Sequence, residues 1–224
     1  AGSRPPRDGL SRAEPGSRPR ESNDRAGGAP ARGAASPGRD ASVAIENAER
    51  AATRELFEEA SVVLDEHALH YWSRWITPSV EPKRFDATFF VAKLPDGQSA
   101  KFDNQETIEQ VWVTPEEGMR RHGEGTLKLP PPQLRMLYEL ALVTPSDYAS
   151  AVVAAHARAR EPFAILPRFC ELENQVALLF PWDSDYADKG VGESLPVPAG
   201  VAWATGPSRV ILADMTWRLE LGRG

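Results

Sequence analysis

Apolar side chains recur at helical spacing from Val43 onward, and this period predicts a helix from about Ser42 to Ser61. Ser42 is predicted to be its N-cap, because a serine hydroxyl there accepts a hydrogen bond from an N–H group of the first turn. The pattern then changes, since the segments ALHYWSRWIT and RFDATFFVAKL are rich in aromatic and β-branched residues and predict two strands. The LPDGQ segment provides turn residues after the second strand.

The rest of the chain predicts further elements of both kinds. TIEQVWVT has the composition of a third strand, and TPEEGMRRHG that of a short helix opened by Thr114 and Pro115. In LPPPQLRMLYELALV a helix is predicted from about Pro132, because proline is tolerated in the first turn but not inside a helix. PSDYASAVVAAHARA predicts another helix, and short strands are predicted from Phe163 onward. This mixture predicts an α+β fold.

Residues 1–40 differ in composition from the rest of the chain. They consist mainly of Arg, Gly, Pro, Ala and Ser, with Leu10 as their large apolar residue. Such a segment buries too little apolar surface to offset the entropy cost of ordering it. The sequence therefore predicts a low-complexity, disordered tail over 1–40 and a globular domain over 41–224, with a β-rich extension from about 160. A tail that is not native sequence, from an out-of-frame reading of GC-rich DNA, is left open as an alternative.

The bulk composition narrows the classes of function. The chain has 224 residues, of which 41% are hydrophobic and 26% are charged, as is typical of globular proteins. Its net charge of −6 argues against nucleic acid and against an anionic membrane surface as partners. No run approaches the ~18 apolar residues that a membrane span needs. We therefore expect a protein that binds neither nucleic acid nor membrane. A cytoplasmic location is expected because the C-terminal residues LGRG carry no peroxisomal address.

Three glutamates in the first predicted helix are candidates for a metal site. Glu55, Glu58 and Glu59 are spaced i, i+3 and i+4, so their carboxylates emerge on one side of a helix. Like charges at this spacing repel, which suggests that a cation lies beside them. A hard divalent ion such as Mg²⁺ or Mn²⁺ suits carboxylate oxygens best. On spacing alone a solvated acidic surface is the favoured interpretation, because Glu-rich helices of that kind are common.

The order of residues around these glutamates resembles the signature of the Nudix hydrolases. RELFEEAS, residues 54–61, contains the Arg-Glu pair and the paired glutamates of that signature, and Glu46 matches its upstream glutamate. Two positions depart from it, because Asp40 and Ser61 stand where the signature has glycine. Downstream, the Trp-Ile-Thr-Pro step, the Arg-Phe-Asp strand and the triple-proline-Gln segment resemble the branch that contains the peroxisomal coenzyme A diphosphohydrolase and its bacterial relatives.

This resemblance implies a fold and an activity. The implied fold is an α/β/α sandwich with a mixed sheet, here without its first strands, since no strand is predicted ahead of the helix. The implied activity is metal-dependent hydrolysis of the pyrophosphate linkage in a small-molecule nucleoside diphosphate derivative, such as coenzyme A or an acyl-CoA. A homodimer is left open. The alternative is a Nudix-fold nucleotide-binding or regulatory domain that has lost catalysis.

The resemblance also implies roles for individual residues. Glu58, or a glutamate from a loop, would take a proton from the attacking water, and Arg54 would hold one of the carboxylates in place. The implied metal ligands are Glu55, Glu58 and Glu59, and Glu106 is either a further ligand or a surface glutamate. Arg84 is implied to face a substrate phosphate, although an ion pair with Asp86 or a nearby glutamate fits the sequence equally well. Gln133 and the prolines before it either line the site or shape a rigid turn.

Overall fold

The computed structural model describes residues 37–65, 67–101, 111–143 and 150–222, which belong to one compact unit spanning 36–224. The helices are α1 Pro37–Ala60, α2 Pro115–Gly123, α3 Pro131–Ala141, α4 Ser150–Arg158 and α5 Tyr186–Lys189. The strands are β1 His70–Ile76, β2 Asp86–Val91, β3 Ala164–Ile165, β4 Arg168–Leu172, β5 Gln175–Leu179, β6 Arg209–Ala213 and β7 Thr216–Glu220. The α+β prediction is confirmed. The predicted tail lies almost entirely outside the described residues.

Helix α1 starts earlier than the sequence pattern predicts. It begins at Pro37, so the prediction that Ser42 is the N-cap is wrong, and Asp40 already has helical backbone. Proline favours the first turn of a helix, and no breaker follows Gly38, so the helix extends back to Pro37. At the other end Ser61 adopts the left-handed conformation, with φ of 55°, and its N–H donates to the Phe57 carbonyl at 3.0 Å. Ser61 thus terminates the helix where the Nudix signature has glycine.

The first sheet has the strand order β2-β1-β3, with β1 antiparallel to β2 and parallel to β3. A bulge between Tyr71 and Ser73 shifts the register, so that Tyr71 and Arg74 lie on the same face. This face borders α1, since Tyr71 and Arg74 line a cavity together with Ala44 and Ile45 of that helix. Trp75 therefore lies on the opposite face.

The second sheet is antiparallel, with the order β4-β5-β6-β7. Its buried side chains form a core with the opposite face of the first sheet, in which Trp75, Leu178, Phe180 and Val210 pack together. The Trp75 and Phe180 rings meet edge to face, with 5.3 Å between their centroids. The strands predicted from Phe163 onward are therefore confirmed as a sheet that shares its core with β1.

Helices α2 and α3, which follow β2 in the sequence, begin close to their predicted positions. Thr114 caps α2, because its Oγ1 accepts from the Glu117 N–H at 3.2 Å, and α3 begins within the proline run. Of the predicted third strand, residues 107–110 lie outside the described residues, and 111–114 lead into α2 without strand structure. None of the described helices combines the length and apolar character needed to cross a membrane.

A buried ionic cluster joins α3 to β1 and to the segment after α4. Glu139 accepts hydrogen bonds from Trp72 Nε1 at 2.9 Å, from Arg135 Nε at 2.8 Å and from an Arg160 terminal nitrogen at 2.6 Å. Arg160 also lies between two indole rings, since its guanidinium carbon is 4.3 Å from the ring centroids of both Trp72 and Trp203. Burial lowers the pKa of Arg160, although the Glu139 charge opposes this effect.

Candidate functional site

The three signature glutamates emerge together from the C-terminal half of α1. Glu55, Glu58 and Glu59 are all exposed, and their spacing on a continuous helix puts them on one side of it. Arg54 Nε lies 3.9 Å from Glu58 Oε1, and both side chains are more than half exposed. This contact is an ion pair longer than a hydrogen bond, so it orients Glu58 only loosely.

The donor chemistry of this surface suits a hard divalent cation, because carboxylate oxygens are the ligands that Mg²⁺ and Mn²⁺ prefer. Within the described part of the chain, however, no three acidic, His or Cys side chains are gathered closely enough to hold a metal ion. Glu106, the remaining predicted ligand, lies outside the described residues. The helix therefore provides suitable oxygen donors without a closed ligand set.

A cavity of about 630 Å³ runs along a neighbouring side of α1. It is bordered by Glu46, Arg50 and Arg54 and by the extended segment 62–65 that follows the helix. Glu58 is not part of its lining, but the Arg54 side chain borders the cavity and also contacts Glu58. Arg54 thus connects the cavity to the acidic side of the helix.

The cavity contains functional candidates that the sequence reasoning did not single out. Arg50 lies one turn before Arg54, and its terminal nitrogen is 3.9 Å from a Glu46 carboxylate oxygen. Phe57 also borders the cavity and is 57% exposed, which is unusual for a large apolar side chain. The i, i+4 repeat of Arg50 and Arg54 is the signal that could have identified this cationic edge.

The side-chain amide of Gln98 holds the 62–65 segment, which borders the cavity opposite α1. Val63 donates its N–H to Gln98 Oε1 at 2.8 Å, and Gln98 Nε2 donates to the Val63 carbonyl at 2.8 Å. These two hydrogen bonds replace the ones that a neighbouring strand would make, so they fix the extended segment after α1. Gln98 belongs to the predicted turn, which is confirmed by Gly97 at φ of 81°.

Arg84 lies away from these groups. Its terminal nitrogen is 3.2 Å from a Glu193 carboxylate oxygen, and its Nε donates to the Thr77 carbonyl. Asp86 instead forms a two-point pair with Arg74, at 2.8 Å and 2.5 Å. Hydrogen bonding to Arg74 lowers the pKa of the Asp86 carboxyl. The structure therefore places Arg84 in an ion pair with a glutamate rather than beside α1.

Tyr71 lies under α1, and the pKa of its hydroxyl is a measurable consequence of that packing. Burial raises the pKa of its hydroxyl to about 12, although the charges of Arg160 and Arg74 oppose the effect. The folded state favours the neutral Tyr71 hydroxyl. This preference stabilises the fold below about pH 10, and the stabilisation is lost as pH rises through 12. We expect ultraviolet titration of tyrosinate to show a late component near pH 12 that Tyr71→Phe removes. An unchanged titration curve in that variant would contradict the packing described for Tyr71.

One segment of the chain matches a known protein family. Residues 47–142 match the family model described as the NUDT19 Nudix domain. The matched segment contains Glu55, Glu58 and Glu59 and ends next to α3. No solved structure matches the chain significantly.

Curated relatives match over parts of their length. The chain is 34% identical over 82 residues to acyl-coenzyme A diphosphatase NUDT19 of Xenopus laevis, which is 35% of this chain and 22% of that protein. It is 28% identical over 133 residues to putative nudix hydrolase 7 of Caenorhabditis elegans, covering 59% and 44%. It is 34% identical over 76 residues to human acyl-coenzyme A diphosphatase NUDT19, covering 33% and 20%. The chain thus spans less than half the length of each of these relatives.

Proposed function

We propose that the chain is a Nudix hydrolase, because residues 47–142 match the NUDT19 Nudix domain, and that it hydrolyses a pyrophosphate linkage in a nucleoside diphosphate derivative. Coenzyme A and acyl-CoA are the proposed substrates, because two of the relatives are named acyl-coenzyme A diphosphatases. The observation that carries the proposal is the single helix α1, which holds Glu55, Glu58 and Glu59 on one exposed side, with Arg54 in contact with Glu58.

Glu55, Glu58 and Glu59 do not close a ligand set by themselves, so we propose that they would hold Mg²⁺ or Mn²⁺ together with Glu106 and the substrate phosphates. A bound ion would supply positive charge next to the phosphate oxygens and would lower the pKa of a water molecule. Glu58 is proposed to accept the proton of the attacking water as the new O–P bond forms. The bridging P–O bond breaks in the same displacement, and the substrate leaves as two phosphate monoesters.

The cationic edge of the cavity beside α1 is proposed to position the diphosphate. Arg50 and Arg54 both border that cavity, and guanidinium groups recognise phosphate oxygens by paired hydrogen bonds. Each arginine already lies 3.9 Å from a glutamate, which keeps it near α1 without a tight bond that substrate would have to break. Arg84, bound to Glu193, is not needed for this arrangement, and its proposed contact with a substrate phosphate rests on the family resemblance alone.

The test is removal of the metal. We expect the purified chain to convert coenzyme A to phosphopantetheine and adenosine 3′,5′-diphosphate with Mg²⁺ or Mn²⁺ present, and excess chelator to abolish turnover. Parallel reactions with an acyl-CoA, a dinucleotide and a nucleotide sugar identify the preferred diphosphate. Absence of turnover of every substrate with either ion would overturn the proposal.

A binding domain without catalysis is the second candidate. It is favoured by the open ligand set on α1 and by Asp40, which is helical where the signature has glycine. This candidate predicts that calorimetry detects coenzyme A binding while chromatography finds no product, with or without metal. The cytoplasmic location and the homodimer remain predictions from the sequence. Gel filtration with light scattering measures the oligomeric state and so tests the homodimer.

A further inference from the structure

A second cavity, of about 500 Å³, lies on the face of the first sheet that points away from α1. Neighbouring residues of β1 and β2 alternate between the two faces: Arg74 and Thr88 border the cavity under α1, whereas Trp75 and Ala87 border this one. The sheet therefore separates it from Glu58. It is also bordered by the prolines that open α3 and by residues of the second sheet.

The lining of this cavity is mostly apolar. Its aromatic members include Phe85, Phe89, Phe169 and Trp217, none of which is fully buried, and Phe85 is 58% exposed. The prolines at its edge are Pro78, Pro130, Pro131, Pro132 and Pro167. The polar side chains Thr77, Glu81, Lys83 and Gln133 also border the cavity, but apolar side chains outnumber them, so much of a sugar or nucleobase would face apolar surface. A cavity of this size and character suits an apolar ligand group.

Lys83 provides a positive charge at the rim. Its Nζ lies 4.9 Å from the centroid of the Phe85 ring, so the ammonium group is held against an aromatic wall of the cavity. Among the described residues no carboxylate is within ion-pair distance of Lys83, whereas the neighbouring Arg84 is paired with Glu193. Glu81 also borders the cavity, and it is not ion-paired with Lys83.

We propose that this cavity binds a single-chain fatty carboxylate, with the chain among the aromatic and proline side chains and the carboxylate at Lys83. The site goes beyond the proposed hydrolysis, since the sheet lies between it and the acidic side of α1. The proposal is therefore tested by measuring ligand binding and not by measuring turnover.

The experiment uses the full chain and a dodecanoate brominated at the end of its chain, which quenches tryptophan fluorescence on contact. We expect saturable quenching below the micellar concentration, reversed by unlabelled dodecanoate. Trp217→Phe should reduce the quenched amplitude, because Trp217 lines the cavity. Trp112→Phe is the matched control: Trp112 is 70% exposed and does not border the cavity, so its loss should leave the quenched amplitude in place.

The carboxylate position is tested separately. Lys83→Gln should weaken binding by about tenfold or more, because a charge-assisted hydrogen bond is lost. Lys93→Gln removes the same charge from a lysine paired with Asp96 and should leave the affinity unchanged. Phe85→Ala, at an exposed position, should also weaken binding without unfolding the protein. The proposal is overturned by quenching that does not saturate, by equal competition from dodecyltrimethylammonium, or by unchanged affinity in both Lys83→Gln and Phe85→Ala.

Discussion

Replacing Glu58 by Gln is expected to lower metal-dependent hydrolysis by about 10²–10⁴-fold. Glutamine keeps the size of the side chain, but it is neutral, so it binds a divalent cation poorly and does not accept a proton from water. The fold should be retained, because Glu58 is exposed and its contact with Arg54, at 3.9 Å, is the kind of surface ion pair that contributes little to stability. The measurement is initial rate against metal concentration, together with a thermal melt.

Two companion variants make this result specific. Glu59→Gln should have a similar effect on rate, since Glu59 emerges from the same side of α1. Glu171→Gln removes the same charge from an exposed position on β4 and should leave the rate unchanged. If Glu58→Gln and Glu59→Gln both retained full metal-dependent activity, the assignment of the site to α1 would be wrong.

Replacing Glu139 by Gln is expected to destabilise the fold by about 3–5 kcal/mol. Glu139 is 8% exposed and is the carboxylate to which both Arg135 and Arg160 are bonded. Its loss leaves two buried guanidinium groups without their counter-charge, and water cannot replace it at this depth. Since ordinary domains are stable by only about 5–15 kcal/mol, the effect should be large in a urea unfolding curve.

An exposed glutamate provides the comparison. Glu124 is bonded to Arg120 in an equally short pair, but both side chains are about half exposed. Glu124→Gln should therefore leave the unfolding midpoint nearly unchanged, because solvent already screens the charges. Equal unfolding midpoints for Glu139→Gln and Glu124→Gln would show that burial of the cluster around Glu139 does not matter for stability.

Elements with strong local patterns were predictable from the sequence. The helical period identified most of α1, the aromatic and β-branched runs identified β1 and β2, and Thr114 marked the start of α2. The N-cap assigned to Ser42 failed because a serine before an apolar run is a weak signal compared with a proline five residues earlier. Element ends depend on such small local preferences, which neighbouring residues readily outweigh.

In the candidate site, too, some features follow from the sequence and others depend on the tertiary structure. The spacing of Glu55, Glu58 and Glu59 by itself determines that they share one side of a helix, because the α-helical period allows no other arrangement. That Arg54 faces a cavity, and that Arg84 is bonded to Glu193, were decided by the tertiary structure. Arg84 and Glu193 are 109 positions apart in the chain, and periodicity carries no information about partners at that distance. Such pairs form only when packing of the two sheets brings separate segments together, so the sequence determined the acidic side of α1 and the tertiary structure determined what surrounds it.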